Sequence, residues 1–282
     1  MRWADLDQLG HVNNVVYVDY LQEARVDLMR AQIAGSRSEG RAEGIVVVRH
    51  EVGYRSPLTF SVGPEGASGV DIECWVTEIR AASFTMAYEA FAVEDGVRTT
   101  FLRASTVLTP YVFATERPRR ITAEERAGLE RYLEPEPANR RASPPPVGRA
   151  TAAHYPVHVR FSDVDAYGHV NNVKYFEYLQ EGRIALMSRL WQQLPGDAPY
   201  PGMVVAQTDV DYRVPLLFRE ETYDLWSEVT RVGHTSVTLE SEIADDDTVC
   251  ARAVVTLVFW DRDSGRPAPV PDGLRALLSP AG

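Results

Sequence analysis

Residues 2–29 (RWADLDQLGHVNNVVYVDYLQEARVDLM) and residues 160–187 (RFSDVDAYGHVNNVKYFEYLQEGRIALM) align without gaps at an offset of 158 and agree at 17 of 28 positions. The offset persists through Val46-Val47 over Val204-Val205, Tyr54-Arg55 over Tyr212-Arg213 and Pro57-Leu58 over Pro215-Leu216. Past a loop that is shorter in the second copy, Asp71 falls over Asp224 and Ser83 over Ser236. Stacked-repeat proteins have periods of roughly 20–50 residues, so this period excludes a solenoid. It calls for two copies of one globular domain. The length of 282 residues agrees, at about 150 residues per domain.

The boundary between the copies is readable. Thr122 to Glu125 is a capping-box pattern that opens a short helix to about Leu133. Glu134-Pro135-Glu136-Pro137 and Ser143-Pro144-Pro145-Pro146 can continue neither a helix nor a central strand. The expected organisation is a domain over 1–134, a semi-rigid proline-rich linker over 135–153 and a domain over 154–282. Only Met1 precedes Arg2, whereas His154 to Val159 precede Arg160. Copy one is therefore expected to have a short or missing leading strand, or a start further upstream.

Both copies read alike. Tyr17, Leu21, Ala24 and Leu28 recur at helical spacing and predict a helix from Asn14 to about Arg30, with Tyr175, Leu179, Gly182 and Leu186 in the second copy. Val18, Tyr20 and Met29 widen the apolar surface. Strands are expected over Gly44–Tyr54, around Val70–Val76 and around Phe84–Ala90. Glu94-Asp95-Gly96 reads as a hairpin turn into Val97–Val112. One long helix followed by consecutive strands predicts an α+β unit, an antiparallel sheet with the helix on one face.

Composition narrows the class of function. Forty acidic against 29 basic side chains leave a net charge of −11, which disfavours nonspecific binding to nucleic acid or anionic membrane. No apolar run reaches the roughly 18 residues of a membrane span, and MRWADLDQLG is neither a signal nor a transit peptide. The two cysteines, Cys74 and Cys250, have no partner motif, so a reducing, cytoplasmic location and no structural metal site are expected.

The chemistry concentrates in Asp5 to Asn14 and its copy Asp163 to Asn172, just ahead of each helix. Gly10 and Gly168 permit a sharp or left-handed turn. Asn can cap the helix. Free N–H groups of the first turn can hold an oxyanion, and a carboxylate a few residues upstream can face the same place. That pairing suits acyl hydrolysis. The same residue types also make ordinary turns and caps.

The pattern D-x-D-x-x-G-H-V-N-N-x-x-Y, followed by L-Q-E-x-R, resembles the hotdog-fold thioesterases, and within them the 4-hydroxybenzoyl-CoA thioesterase-like acyl-CoA thioesterases. The D-x-D-x-x-x-H-V-N-N core is also similar to that of acyl-ACP thioesterases. The resemblance covers both copies. It implies two tandem hotdog domains, each a long helix wrapped by an antiparallel sheet, paired as an internal pseudo-dimer. Further homo-oligomerisation is compatible with it.

Carried over by residue, the resemblance makes Asp7 and Asp165 the catalytic carboxylates. It also makes His11 and His169 catalytic candidates. The polarising helix-start N–H groups fall on Asn14 and Asn172, beside the turn glycines Gly10 and Gly168. Asp5 and Asp163 are read as structural, and so are Asn13 and Asn171. Glu23 and Glu181 are read as surface or interface groups, Tyr54 and Tyr212 as packing residues. Arg55, Arg80, Arg213 and Arg231 are candidates for phosphate contact. The acyl-ACP branch has an Asn two residues after the Asp, where this chain has Leu9 and Tyr167. The expected activity is acyl-CoA hydrolysis without a metal or a separate cofactor, CoA being part of the substrate. An acyl-ACP thioesterase and a non-catalytic acyl-CoA-binding module are the alternatives; a dehydratase fits the motif poorly.

Overall fold

A computed structural model of the chain describes residues 1–32, 43–59, 62–63, 66–67, 69–136, 141–194, 202–261 and 263–278. The chain divides into two compact units, Met1–Arg141 and Ala142–Gly282. The division falls inside the proline-rich stretch. Residues 137–140 of that stretch, including Pro137, lie outside the described residues.

In the first unit, helix α1 (Asn14–Gln32) is followed by strands β1 (Glu43–Tyr54), β2 (Asp71–Ile79), β3 (Phe84–Glu94) and β4 (Val97–Val112), then helix α2 (Ala123–Glu130). The strands are antiparallel in the order β2-β3-β4-β1. Asp95 (φ 49°) and Gly96 (φ 77°) make the two-residue turn between β3 and β4, with Glu94 paired to Val97. Both positive φ values fit a turn whose twist matches the strands it joins. Thr122 accepts from Glu125 N at 3.1 Å, and the Glu125 carboxylate accepts from Thr122 N at 2.8 Å, so α2 opens on the expected capping box. It ends at Glu130 rather than at Leu133, which instead bridges to Val76.

The second unit repeats the plan. Strand β5 (Ala153–Val157) precedes helix α3 (Lys174–Gln192). Strands β6 (Gly202–Tyr212), β7 (Tyr223–Val232), β8 (Ser236–Asp245) and β9 (Thr248–Asp261) follow, then helix α4 (Asp272–Leu278). The antiparallel order is β5-β7-β8-β9-β6. Helix α4 was not foreseen from the sequence pattern. Leu274 and Leu278 seat it against Val237, Leu239, Phe259 and Met187.

The buried row of α1 differs from the expected one. Tyr17, Leu21, Arg25 and Met29 are buried at steps of four, whereas Ala24 and Leu28 are half-buried. In α3 the buried row is Tyr175, Leu179, Gly182, Arg183 and Met187. Gly182 is required by contact: a Cβ there would meet Leu225 Cδ2 at 2.3 Å.

Among the described residues, no helix is long and apolar enough to cross a membrane.

Candidate active site

Each motif forms a tight turn docked against its own unit. Asp7 N donates to His11 O at 2.8 Å, and Gly10 N donates to Asp7 O at 3.1 Å. Asp165, His169 and Gly168 repeat these bonds at 2.8 and 3.1 Å. Gly10 (φ 76°) and Gly168 (φ 87°) take the left-handed conformation that closes the turn, which side chains disfavour. The turn is then fastened at its base. Val12 N donates to Leu58 O and Val170 N to Leu216 O. Asn13 N donates to Asp5 O and Asn171 N to Asp163 O, each at 2.8 Å.

The motif carboxylates divide their two oxygens. Asp7 Oδ1 accepts from Leu9 N at 2.8 Å and His11 N at 3.2 Å. Asp165 Oδ1 accepts from Tyr167 N at 2.8 Å. Among the described residues, no hydrogen bond engages Oδ2 of either Asp. One oxygen therefore holds the turn while the other stays available. The residue two after the Asp supplies a backbone N–H, so Leu9 and Tyr167 serve the turn equally well.

Asp5 and Asp163 lie under the turn and are almost fully buried. Asp5 accepts from Arg2 N at 2.6 Å and from the Tyr20 hydroxyl at 2.5 Å. Asp163 accepts from Arg160 N at 2.9 Å and Tyr178 at 2.7 Å. Burial alone would raise the Asp5 carboxyl, but the bonds from Tyr20 and Arg2 outweigh it and hold it below the usual range. These two carboxylates are spent on structure.

The first Asn of each Asn-Asn pair accepts a local backbone bond at the helix entry. Asn13 Oδ1 accepts from Val15 N at 3.0 Å and Asn171 Oδ1 from Val173 N at 3.1 Å. Asn13 thus caps α1, whereas Asn171 closes a turn ahead of α3, whose N-cap Val173 has no side-chain capping bond. Asn14 begins α1 with an N–H that has no acceptor among the described residues. Asn172 lies just before α3, which begins at Lys174. Both backbones are pinned from the sheet: Tyr54 donates to Asn14 O at 2.8 Å and Tyr212 to Asn172 O at 2.9 Å. This role of the two tyrosines goes beyond packing.

Tyr17 and Tyr175 were read from sequence only as core residues, yet each lies within reach of the motif charge. Burial pushes the Tyr17 hydroxyl up, a bond from the Leu58 backbone opposes this, and the Asp7 charge adds to it. Burial likewise raises Tyr175, with the Leu216 N–H opposing and Asp165 among the groups adding to it. Both stay protonated at neutral pH. Their recurrence as Tyr at the 158-residue offset was the available signal.

The remaining candidates disperse. His11 is half-buried, and its ring has no partner among the described residues. His169 is half-buried too, and its backbone bridges to Leu217. Glu23 and Glu181 are exposed, and Glu23 makes no ion pair with Arg25. Arg55, Arg213 and Arg231 are exposed, with no side-chain partner among the described residues, while Arg80 bonds Glu78 at 2.7 Å. Among the described residues, no group of three or more His, Cys, Asp or Glu side chains is placed to hold a metal ion.

A long helix laid on an antiparallel sheet, with an Asp-Gly turn ahead of the helix, defines a hotdog unit, and this chain carries two. It belongs to the thioesterase-like superfamily, whose pattern it matches over residues 1–147 and again over 159–278. It is 31% identical over 112 residues to the uncharacterized protein YsmA of Bacillus subtilis, a match spanning 39% of this chain and 74% of that one. Its fold is similar to the 12:0-ACP thioesterase from Umbellularia californica, with a TM-score of 0.74, 15% identity and coverage of 95% and 92% of the two chains. It is also similar to a putative oleoyl thioesterase from Lactobacillus plantarum, with a TM-score of 0.73, 18% identity and coverage of 92% and 93%.

Proposed function

We propose that the protein hydrolyses acyl-CoA thioesters to a free acid and CoA, with Asp7 and Asp165 as the reacting carboxylates. The observation that supports this most is the available Oδ2 of each motif Asp, on a turn fastened just ahead of a helix start. In this reading the carbonyl oxygen takes a hydrogen bond from a helix-start N–H, Asn14 in the first unit. The N–H stabilises the negative charge that develops there. The carboxylate either removes a proton from the attacking water or attacks the carbonyl carbon itself. When water attacks, the C–S bond breaks to give the free acid and the CoA sulfur takes up a proton; when the carboxylate attacks, the C–S bond breaks to leave an acyl–Asp anhydride and the CoA thiol, and water then cleaves the anhydride to the free acid. His11 and His169, beside the carboxylates on the same turns, are proposed to assist proton transfer. The backbones at Gly10 and Gly168 face the substrate.

Leu9 and Tyr167 offer no side-chain amide after the Asp, which favours CoA over an acyl carrier protein. We further propose that the two units pair as an internal pseudo-dimer and act in the cytosol, where Cys74 and Cys250 would stay reduced thiols. The test is a hydrolysis screen over acyl-CoAs of graded chain length, aryl-CoAs and acyl-ACPs, with thiol release as the readout. Release from CoA esters that is lost in the Asp7→Asn/Asp165→Asn double variant supports the proposal. Release from acyl-ACP alone moves the assignment to that carrier. No release from any thioester returns the chain to an acyl-CoA-binding role.

A further inference from the structure

Two aromatic side chains stand in water beside the motif turn of the second unit. Phe161 is 81% exposed and Phe218 is 54% exposed, and their rings meet edge to face with centroids 5.9 Å apart. Leu217, next to Phe218 in the chain, is exposed too. Phe161 lies four residues ahead of Asp165, so the chain holds the two within about 14 Å. From the other side, Leu217 bridges to His169 of the turn, and Val170 N donates to Leu216 O at 2.9 Å.

The backbone under both rings is fastened. Leu216, fully buried, donates its N–H to the Tyr175 hydroxyl at 2.9 Å. The Tyr223 hydroxyl accepts from Leu217 N at 3.0 Å and donates to Leu217 O at 3.2 Å. Arg219 follows Phe218, lies over the Tyr223 ring at 3.8 Å and pairs with Asp245 at 2.8 Å. Ahead of the turn, Asp163 N donates to Arg160 O at 3.0 Å, and the Asp163 carboxylate accepts from Arg160 N at 2.9 Å. The rings are therefore held out in water rather than left there by a loose loop. The first copy repeats the residue types at the 158-residue offset, with Trp3 for Phe161 and Phe60 for Phe218. Trp3 is 76% exposed, and Phe60 lies outside the described residues. Single exposed apolar residues are ordinary, whereas an adjoining group on fastened backbone marks a contact surface.

Size, charge and position select the occupant. At about 200 Å² per aromatic side chain, Phe161 and Phe218 leave roughly 250–300 Å² in water. A stable contact between two chains wants about 800 Å² from each, so the patch suits a small ligand better than a second copy. Arg160, directly before Phe161, and Arg213 are exposed, and so are Glu220 and Glu221 after Phe218. An anionic end of the ligand is drawn to the arginines and repelled by the glutamates. A thioester whose carbonyl meets Asp165 carries such a ligand on its sulfur. The pantetheine arm runs through two amides to a carbon bearing two methyl groups and ends in a phosphate.

Building on the thioester-hydrolase reading, we infer that Phe161, Leu217 and Phe218 form the platform on which the dimethyl-bearing part of the pantetheine arm rests, with its phosphate toward Arg160 and Arg213.

The test uses the full chain carrying Asp7→Asn, so that turnover reports the second unit. One acyl group is presented on N-acetylcysteamine, pantetheine, CoA and acyl carrier protein. N-acetylcysteamine stops short of the dimethyl carbon. Phe161→Ala/Phe218→Ala is expected to fold, because both side chains are surface groups. It should lower kcat/KM about tenfold for the pantetheine and CoA thioesters, mainly through KM, since the arm is held equally before and during reaction. The N-acetylcysteamine thioester should change by about twofold or less, having no arm to lose. A loss confined to acyl carrier protein thioesters puts the arm on a protein carrier and also supports the inference. Equal losses on every thioester, or none on any, overturn it. So does a lower molecular mass of the double variant in light scattering with arm discrimination intact, which gives the rings to a second copy. In calorimetry, S-butyl-CoA, a thioether that cannot be hydrolysed, should bind about tenfold more weakly to the double variant in the second unit. If wild type hydrolyses no thioester, the hydrolase reading fails and this binding measurement alone decides the inference: weaker binding in the double variant supports it, and unchanged binding overturns it.

Discussion

The Tyr54 hydroxyl donates a 2.8 Å hydrogen bond to the backbone carbonyl of Asn14, tying the end of β1 to the first residue of α1. Tyr212 and Asn172 repeat the bond at 2.9 Å. In the proposed mechanism, this tether positions the helix-start N–H that meets the substrate. Tyr54→Phe removes one hydrogen bond without changing shape, so it should cost about 1 kcal/mol of stability. It should also lower kcat/KM several-fold through misplacement of the N–H donor. Urea unfolding and steady-state kinetics check both. A variant with full activity would show that the tether does not position the site.

The two motif carboxylates should be separable. Asp7→Asn and Asp165→Asn keep an acceptor for the turn N–H groups at Oδ1, so folding should survive. Each single variant should retain part of the turnover. The double variant should lose about a hundredfold or more, as when a general base is removed. The two losses should be unequal, because Leu9 is half-buried whereas Tyr167 is exposed beside its turn. An unchanged rate in the double variant would remove Asp from the mechanism.

Gly182 faces Leu225, a residue with no solvent exposure. Gly182→Ala should overpack that contact and cost about 1–3 kcal/mol, outweighing the better helix propensity of alanine. The equivalent position in the first unit is already Ala24, so the converse change Ala24→Gly should cost about 1 kcal/mol or less, from helix propensity alone. Denaturant midpoints of the two variants provide the comparison.

Acid stability should follow three held carboxylates. Burial would raise Glu89, but bonds from Arg98, Thr100 and Arg103 outweigh it and hold it below the usual range. Arg119 does the same for Glu125 against its burial, and Tyr20 and Arg2 do so for Asp5. Each carboxyl titrates lower when folded than when unfolded. Its contribution is therefore complete above the ordinary carboxylate range and is lost as pH falls through the folded-state value. The Tm should hold from neutral pH to about pH 5 and drop below about pH 4. Glu89→Gln should flatten that drop. A Tm unchanged down to pH 2 would contradict the assignment.

Much of this protein was legible in the chain itself. The 158-residue offset fixes two copies of one unit, and the Asp95-Gly96 pair fixes a hairpin. The Thr122–Glu125 box starts a helix, because each of these signals is local and acts through backbone geometry. The motif turns were readable for the same reason: Asp, Gly and Asn bond neighbours within four residues. What the chain order could not disclose is long-range. That Tyr54 reaches Asn14, that Tyr17 feels Asp7, and that Arg25 rather than Ala24 lies in the buried row depend on how a helix rolls against a sheet. Helical spacing marks a face to within a residue or so. The choice between Arg25 and Ala24 is made by side-chain packing, which only the tertiary structure decides.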